Sequence, residues 1–368
     1  MGRDQKMRVL MLTQTLDESG VLGFTRRWAK ELARRVERLY CIVLEKREEI
    51  NNLEGVEVLS LGKERGYKYF TDIHYLANLY RYLSRIEKKG GIEVIFSHML
   101  PVFTIAVFPY AFLKKIPIVQ WYTHPCLDIK LKIAHCFARC IVTTLPTTYP
   151  YKMNKVKVVG HGIDTEMFSP GPCNKEDFNN LILCVGRISP VKDQATLIRA
   201  AGILSRKANI NFKVVFIGSP ITEKDRVYME NLKELIEKES LKNLVSFRGA
   251  VKYGEELVEW YRRCFFHVNL TPTGSGDKTA LESMACGKPT LVANEGFRKT
   301  LGKYADQLIF KFHSPEDLAE KMERLFSLSK REQEKLGNFL RERIEKFHSL
   351  DRLMEKLKEI FEEVKRKN

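Results

Sequence analysis

Short apolar runs recur along the chain, separated by stretches whose apolar positions repeat at helical spacing. Residues 8–12, 39–44, 56–61, 93–96, 116–121, 140–145 and 157–159 read as strands. Residues 25–38 and 72–88 read as amphipathic helices between them. This alternation predicts a parallel, doubly wound sheet. A polar, turn-rich stretch at 168–180, FSPGPCNKEDFNN, interrupts it. The alternation then restarts, with strands at 181–185, 212–217, 244–247, 265–270 and 290–293 and helices at 195–208 and 222–239. The expected organisation is α/β with two Rossmann-like sheet domains, 1–170 and 171–345. An amphipathic charged helix over 346–368 is expected to pack back toward the first domain. A ligand cleft between the two domains follows from that architecture.

The chain has 368 residues, enough for two domains of ordinary size, and its 44% hydrophobic and 29% charged content is that of a globular protein. The net charge is +16. It fits either a Lys/Arg/Glu-rich surface or attraction to an anionic surface, lipid or nucleic acid. The first residues, MGRDQKMRVLMLTQT, lead into a strand without the apolar core of a signal peptide. The longest apolar run, 99–113, falls short of the roughly 20 residues of a membrane span and contains Pro101 and Pro109. A cytoplasmic protein, or one peripheral on the cytoplasmic membrane face, is expected. Eight cysteines without CxxC pairs read as reduced thiols. His135, Cys136 and Cys140 share a helix face but lack a fourth metal ligand, so no metal is expected. No cofactor is expected either.

The stretch 271–289, TPTGSGDKTALESMACGKP, carries the most chemistry. It begins as a Gly-rich turn after an apolar run and becomes a helix holding Glu282. A loop of this kind aims backbone N–H groups and the positive end of the helix dipole at one point, which suits phosphate. Glu282 lies about two turns on, within reach of a ribose. Together they imply a nucleotide. The segment LILCVGRISPVKDQATLIRAAGIL opens the second domain, and its Arg187 and Lys192 fall on a strand-to-helix loop. Two cations there would clamp a diphosphate and stabilise the charge left when it departs. The run GSGDKT resembles a phosphate-binding Walker loop, but Asp277 precedes Lys278 where that loop has Gly.

VGRISPVK followed by ALESMACGKP resembles the retaining glycosyltransferases of family 4 (glycosyltransferase group 1) with their GT-B fold. GHGIDTEMFSP (160–170), TQTLDESGVLGF (13–24) and SPEDLAEKM (314–322) are similar to further segments of that family. The resemblance implies transfer of a sugar from a nucleotide-sugar donor to an acceptor, a glycan or a lipid-linked sugar. It implies catalytic roles for His124, Arg187 and Lys192. Donor-binding roles fall to Gly20, Gly23, Gly274, Ser275, Asp277, Lys278, Thr279 and Glu282. Such enzymes are similar in using charge clamps and positioners rather than a nucleophile, with the leaving phosphate helping to deprotonate the acceptor. The chain departs from the family at Gly274, where a first Glu eight residues before Glu282 is usual; Asp277 is a substitute for it. Two other functions compete: an anionic-surface or nucleic-acid binding protein on the same scaffold, and a sugar-nucleotide epimerase. No nucleic-acid module is recognised, and the aromatics from Tyr67 to Tyr82 with nearby cations suggest contact with an anionic membrane instead.

Overall fold

A computed structural model describes residues 7–16, 23–46, 53–66, 71–124, 127–146, 148–151, 153–172, 180–207, 210–272 and 277–367. The chain runs β1 (Arg8–Thr13), α1 (Phe24–Ala33), β2 (Arg38–Val43), β3 (Val56–Ser60), α2 (Thr71–Glu87), β4 (Val94–His98), α3 (Pro101–Leu113), β5 (Ile118–Trp121), α4 (Ile129–Phe137), β6 (Cys140–Thr143) and β7 (Val156–Val158). It continues with β8 (Leu181–Val185), α5 (Gln194–Lys207), β9 (Lys213–Ile217), α6 (Glu223–Lys238), β10 (Val245–Gly249), α7 (Glu255–Arg263), β11 (Phe266–Asn269), α8 (Lys278–Ala285) and β12 (Thr290–Val292). Five helices close it: α9 (Arg298–Leu301), α10 (Ala305–Leu308), α11 (Pro315–Phe326), α12 (Lys330–His348) and α13 (Leu350–Arg366).

Two compact units result, Met1–Gly162 with Leu350–Asn368, and Ile163–Ser349. In the first, the strands are parallel in the order β3-β2-β1-β4-β5-β6-β7. Successive side chains of a strand point to opposite faces, and β1 shows the consequence. Val9 and Met11 join Trp28, Phe96 and Phe361 on one face. Leu10 and Leu12 join Leu79, Leu83 and Phe103 on the other. Helices therefore cover both faces, as a doubly wound sheet requires. Leu353, Leu357, Phe361 and Val364 form the buried stripe of α13 on the first of these faces.

The second unit has five parallel strands in the order β10-β9-β8-β11-β12. The division between units lies at 162/163 and 349/350, beside the 170/171 and 345/346 expected from the sequence. Ile163 N–H donates to the His348 carbonyl at 2.7 Å, and Phe168 is fully buried in the second unit's core. Those contacts hold 163–170 and 346–349 to the second sheet. The strands otherwise fall within two residues of the expected positions, because chain ends of strands fray into turns that apolarity does not mark.

Candidate active site

In the second unit the strand order reverses between β8 and β11. The crevice outside the carboxyl ends of strands at such a switch point is where open α/β sheets bind ligands. The loop after β8 carries Arg187 and Lys192, and the segment after β11 carries Thr271 and Asp277. Sequence order separates them widely; the sheet makes them neighbours.

The loop after β8 is held by several contacts. Gly186 N–H donates to the Ile217 carbonyl at 2.9 Å, and Ile188 N–H to the Ser219 carbonyl at 3.3 Å. Gln194 Nε2 donates to the Arg187 carbonyl at 3.0 Å. A 3-10 turn over Pro190–Lys192 ends at Asp193, whose φ of 47° is left-handed. A non-glycine residue there is uncommon and needs support from its surroundings. Thr196 Oγ1 donates to its carboxylate at 2.7 Å, and His313 Nδ1 lies 2.9 Å from the same oxygen. The turn directs Lys192 toward β11.

Lys192 Nζ donates to Asp277 Oδ2 at 2.5 Å and to Thr271 Oγ1 at 3.0 Å. Thr271 Oγ1 donates to the same carboxylate oxygen at 2.5 Å, and Asn269 Nδ2 at 2.9 Å. Burial raises the Asp277 carboxyl, but the Lys192 ammonium and these donors outweigh it and hold its pKa below the usual value. Asp277 is the residue before α8, yet its side chain does not cap the helix. The N–H groups of Lys278 and Thr279 at the helix start are thus not taken up by it. Arg187 is more exposed, with Nε 3.9 Å from Asp225 Oδ2.

Further along α8, Glu282 is 2% exposed, and Tyr261 hydroxyl donates to its Oε2 at 3.2 Å. Lys278 sits one turn before it. Burial pushes the Glu282 carboxyl up and the Lys278 ammonium down, and the attraction between them opposes both shifts. The pair is a carboxylate and a cation partly withheld from water, at the height of the helix start. Behind them, His267 is fully buried on β11; burial drives its pKa down to about 3, so the ring is neutral.

In the first unit, Gly23 directly precedes α1 with helical φ of −53°, and His124 is exposed three residues beyond β5. Both lie past the carboxyl ends of strands in that sheet. Gly20, Gly274 and Ser275 lie outside the described residues. His135 Nδ1 is 2.8 Å from Tyr149 hydroxyl and its Nε2 3.1 Å from Met153 sulfur, so both ring nitrogens face protein groups rather than Cys136 and Cys140. Among the described residues no group of His, Cys, Asp and Glu is arranged to hold a metal ion. Asn269, Thr271, Asp193 and Gln194 belong to the site without carrying a motif of their own. Polar residues at the end of an apolar strand, as in FHVNLT, are the signal the sequence offers for the first two.

Residues 170–343 match the family described as Glycosyl transferases group 1. The D-inositol 3-phosphate glycosyltransferase of Paenarthrobacter aurescens (strain TC1) is 28% identical over 193 residues, which cover 50% of this chain and 46% of that protein. That of Frankia alni is 29% identical over 188 residues, 48% of this chain and 46% of that one. The chain thus spans about half the length of these curated relatives. Among solved structures, a glycosyltransferase from Rickettsia africae ESF-5 superposes with a TM-score of 0.77 at 15% identity, covering 98% of this chain and 100% of that one. Anabaena Alr3699/HepE in complex with UDP superposes with a TM-score of 0.76 at 15% identity, covering 97% and 100%. These neighbours have the same fold, two Rossmann-like parallel-sheet domains of the GT-B class.

Proposed function

We propose, from the membership of residues 170–343 in the group 1 glycosyl transferases, that the chain is a retaining glycosyltransferase using a nucleotide-sugar donor. The observation that carries this reading is the meeting of Lys192 with Thr271 and Asp277 at the sheet's switch point, beside the start of the helix that buries Glu282.

In this reading Arg187 and Lys192 hold the donor diphosphate and stabilise the charge that grows on it as the glycosidic bond breaks. Asp277 orients Lys192, which donates to it. The helix-start N–H groups of Lys278 and Thr279 take the distal phosphate, and Glu282 binds the ribose hydroxyls. Gly274 and Ser275 contribute backbone to the same loop. In the first unit Gly20 and Gly23 allow close backbone approach to the phosphate, and His124 contacts the donor sugar. The departing phosphate assists deprotonation of the acceptor on the same face, so positioning and charge supply the catalysis. The acceptor is a glycan or a lipid-linked sugar. A cytoplasmic setting and peripheral contact with an anionic membrane belong to the same reading. UDP is the first nucleotide to try, because Alr3699/HepE is seen with UDP and with UDP-glucose.

The test is thermal stabilisation of the purified chain by UDP, GDP and ADP and their sugars, since a ligand that binds only the folded state raises its melting temperature. A nucleotide-dependent rise is expected. Arg187→Ala should lower turnover by roughly 10²-fold or more, whereas Glu282→Gln should act mainly on donor affinity. Absence of any nucleotide effect on the wild type would refute the reading, as would equal, small losses from both variants.

A further inference from the structure

The helix α3, PVFTIAVFPYAFL, contains no charged side chain. A helix apolar all round is normally buried on every side or crosses a membrane. This one does neither. Phe103, Val107 and Ala111 pack into the sheet, while Val102, Phe112 and Leu113 point outward, the last two 71% and 80% exposed. At 13 residues it is about 20 Å long, against about 30 Å of bilayer hydrocarbon. Among the described residues no helix is long and apolar enough to cross a membrane.

The apolar surface continues onto the neighbouring helices. Phe108 stacks on Phe137 of α4 with ring centres 3.7 Å apart, and Phe112 lies 5.7 Å from Phe108. One turn back from Phe137 is Ile133, and one further back Ile129, which is 67% exposed. On the other flank Tyr80 hydroxyl donates to the Ala106 carbonyl at 3.1 Å, bringing in exposed Ile73 and Leu76 of α2. Cations rim this surface: Lys114 and Lys115 follow Leu113, and Lys130 and Lys132 flank the isoleucines of α4, all of them exposed. The acidic groups there are few. Asp72 is exposed beside Ile73, Glu87 is held by Lys114 and Tyr110, and Asp128 caps α4 through Leu131 N–H.

We infer that the α2–α3–α4 face of the first unit is a docking surface for an anionic phospholipid bilayer, with α3 lying in the plane of the interface. Apolar side chains ringed by lysines are what a helix needs to enter the headgroup boundary while its cations stay with lipid phosphates. The overall charge of +16 favours the same partner. The aromatics of α2, conspicuous in the sequence, contribute less: Tyr75 and Tyr82 pack against the core, and Tyr82 hydroxyl donates to the Ser60 carbonyl at 2.9 Å. Residues 67–70 lie outside the described residues. The inference deepens the peripheral contact proposed above, and its observations come from the first unit alone.

Sedimentation of the full chain with vesicles of phosphatidylcholine, with and without phosphatidylglycerol, tests it. Binding should require phosphatidylglycerol and weaken with salt. Phe112→Ser with Leu113→Ser should abolish most of it, and Ile129→Ser with Ile133→Ser, on a separate helix, should weaken it too. Lys130→Glu with Lys132→Glu should lower partitioning at least about fivefold for each cation lost. Thermal stabilisation by UDP, measured in parallel, should be unchanged in every variant. Binding to neither vesicle would overturn the inference. So would a concentration-dependent dimer that Phe112→Ser abolishes without vesicle binding, since a second copy would then be the occupant. Vesicle binding without any nucleotide effect would leave this inference standing and remove the donor reading.

Discussion

His267 shows how one buried side chain ties the candidate site to pH. Val185 N–H donates to its Nε2 at 3.3 Å, and burial brings its pKa down to about 3. In an unfolded chain histidine titrates near 6.5. Between about 6.5 and 3 the unfolded chain binds a proton that the folded chain refuses, so stability falls as pH falls through that window. The slope is up to about 1.4 kcal/mol per pH unit. Asp277 acts in the same direction at lower pH: its pKa is held down by Lys192, so its contribution is present above the ordinary carboxylate value and lost as pH drops through its own. Urea unfolding between pH 7 and 4 should show this loss, and His267→Asn should flatten the slope by about one proton. A wild type equally stable across that range would refute the assignment. The residues with motif chemistry, Arg187, Lys192 and Glu282, are legible in the sequence, because their spacing marks a loop or a helix start. His267 is not. It sits in a strand run that reads as apolar filler, and only the pairing of β11 with β8 shows what it faces.

At the scale of elements, the loop that carries Arg187 depends on a glycine in the neighbouring strand-to-helix turn. Gly218 has a φ of +136°, and a Cβ built there would lie 1.9 Å from the Gly186 carbonyl oxygen. No side chain fits without displacing the β8 loop. Gly218→Ala should therefore cost about 1–3 kcal/mol in chemical denaturation and weaken nucleotide stabilisation more than a surface substitution does. An unchanged midpoint and unchanged nucleotide response would show that the two turns do not depend on each other. The strands are readable from their apolar runs to within two residues, since a strand covered on both faces must be apolar along its length. The helix α3 is not readable in the same way. Its outward face is as apolar as its inward one, which erases the period that marks an amphipathic helix.

At the scale of the molecule, the chain leaves the first unit after Gly162 and returns to it at Leu350. The last helix completes the first unit's core: Phe361 lies 5.5 Å from Phe96, and Gly162, with φ of +68°, packs against Leu353 and Trp28. Ion pairs add to this, Lys157 with Glu363, Arg35 with Asp351 and Lys365 with Glu93. A chain ending at Ser349 should lose hydrogen-exchange protection in β1, β4 and α1 while β8 and β11 keep theirs. Equal loss in both units would contradict the division. The sequence by itself determined the alternation of strand and helix, hence two parallel sheets, and the residue types of the candidate site, because period and turn chemistry are local properties of a chain. The tertiary structure decided which strands are neighbours, and so which residues share a switch point. It decided that Lys192 and Asp277, 85 positions apart, meet at 2.5 Å. It also decided that the apolar face of α3 looks outward, since exposure depends on what packs over a helix, and nothing local to its residues encodes that.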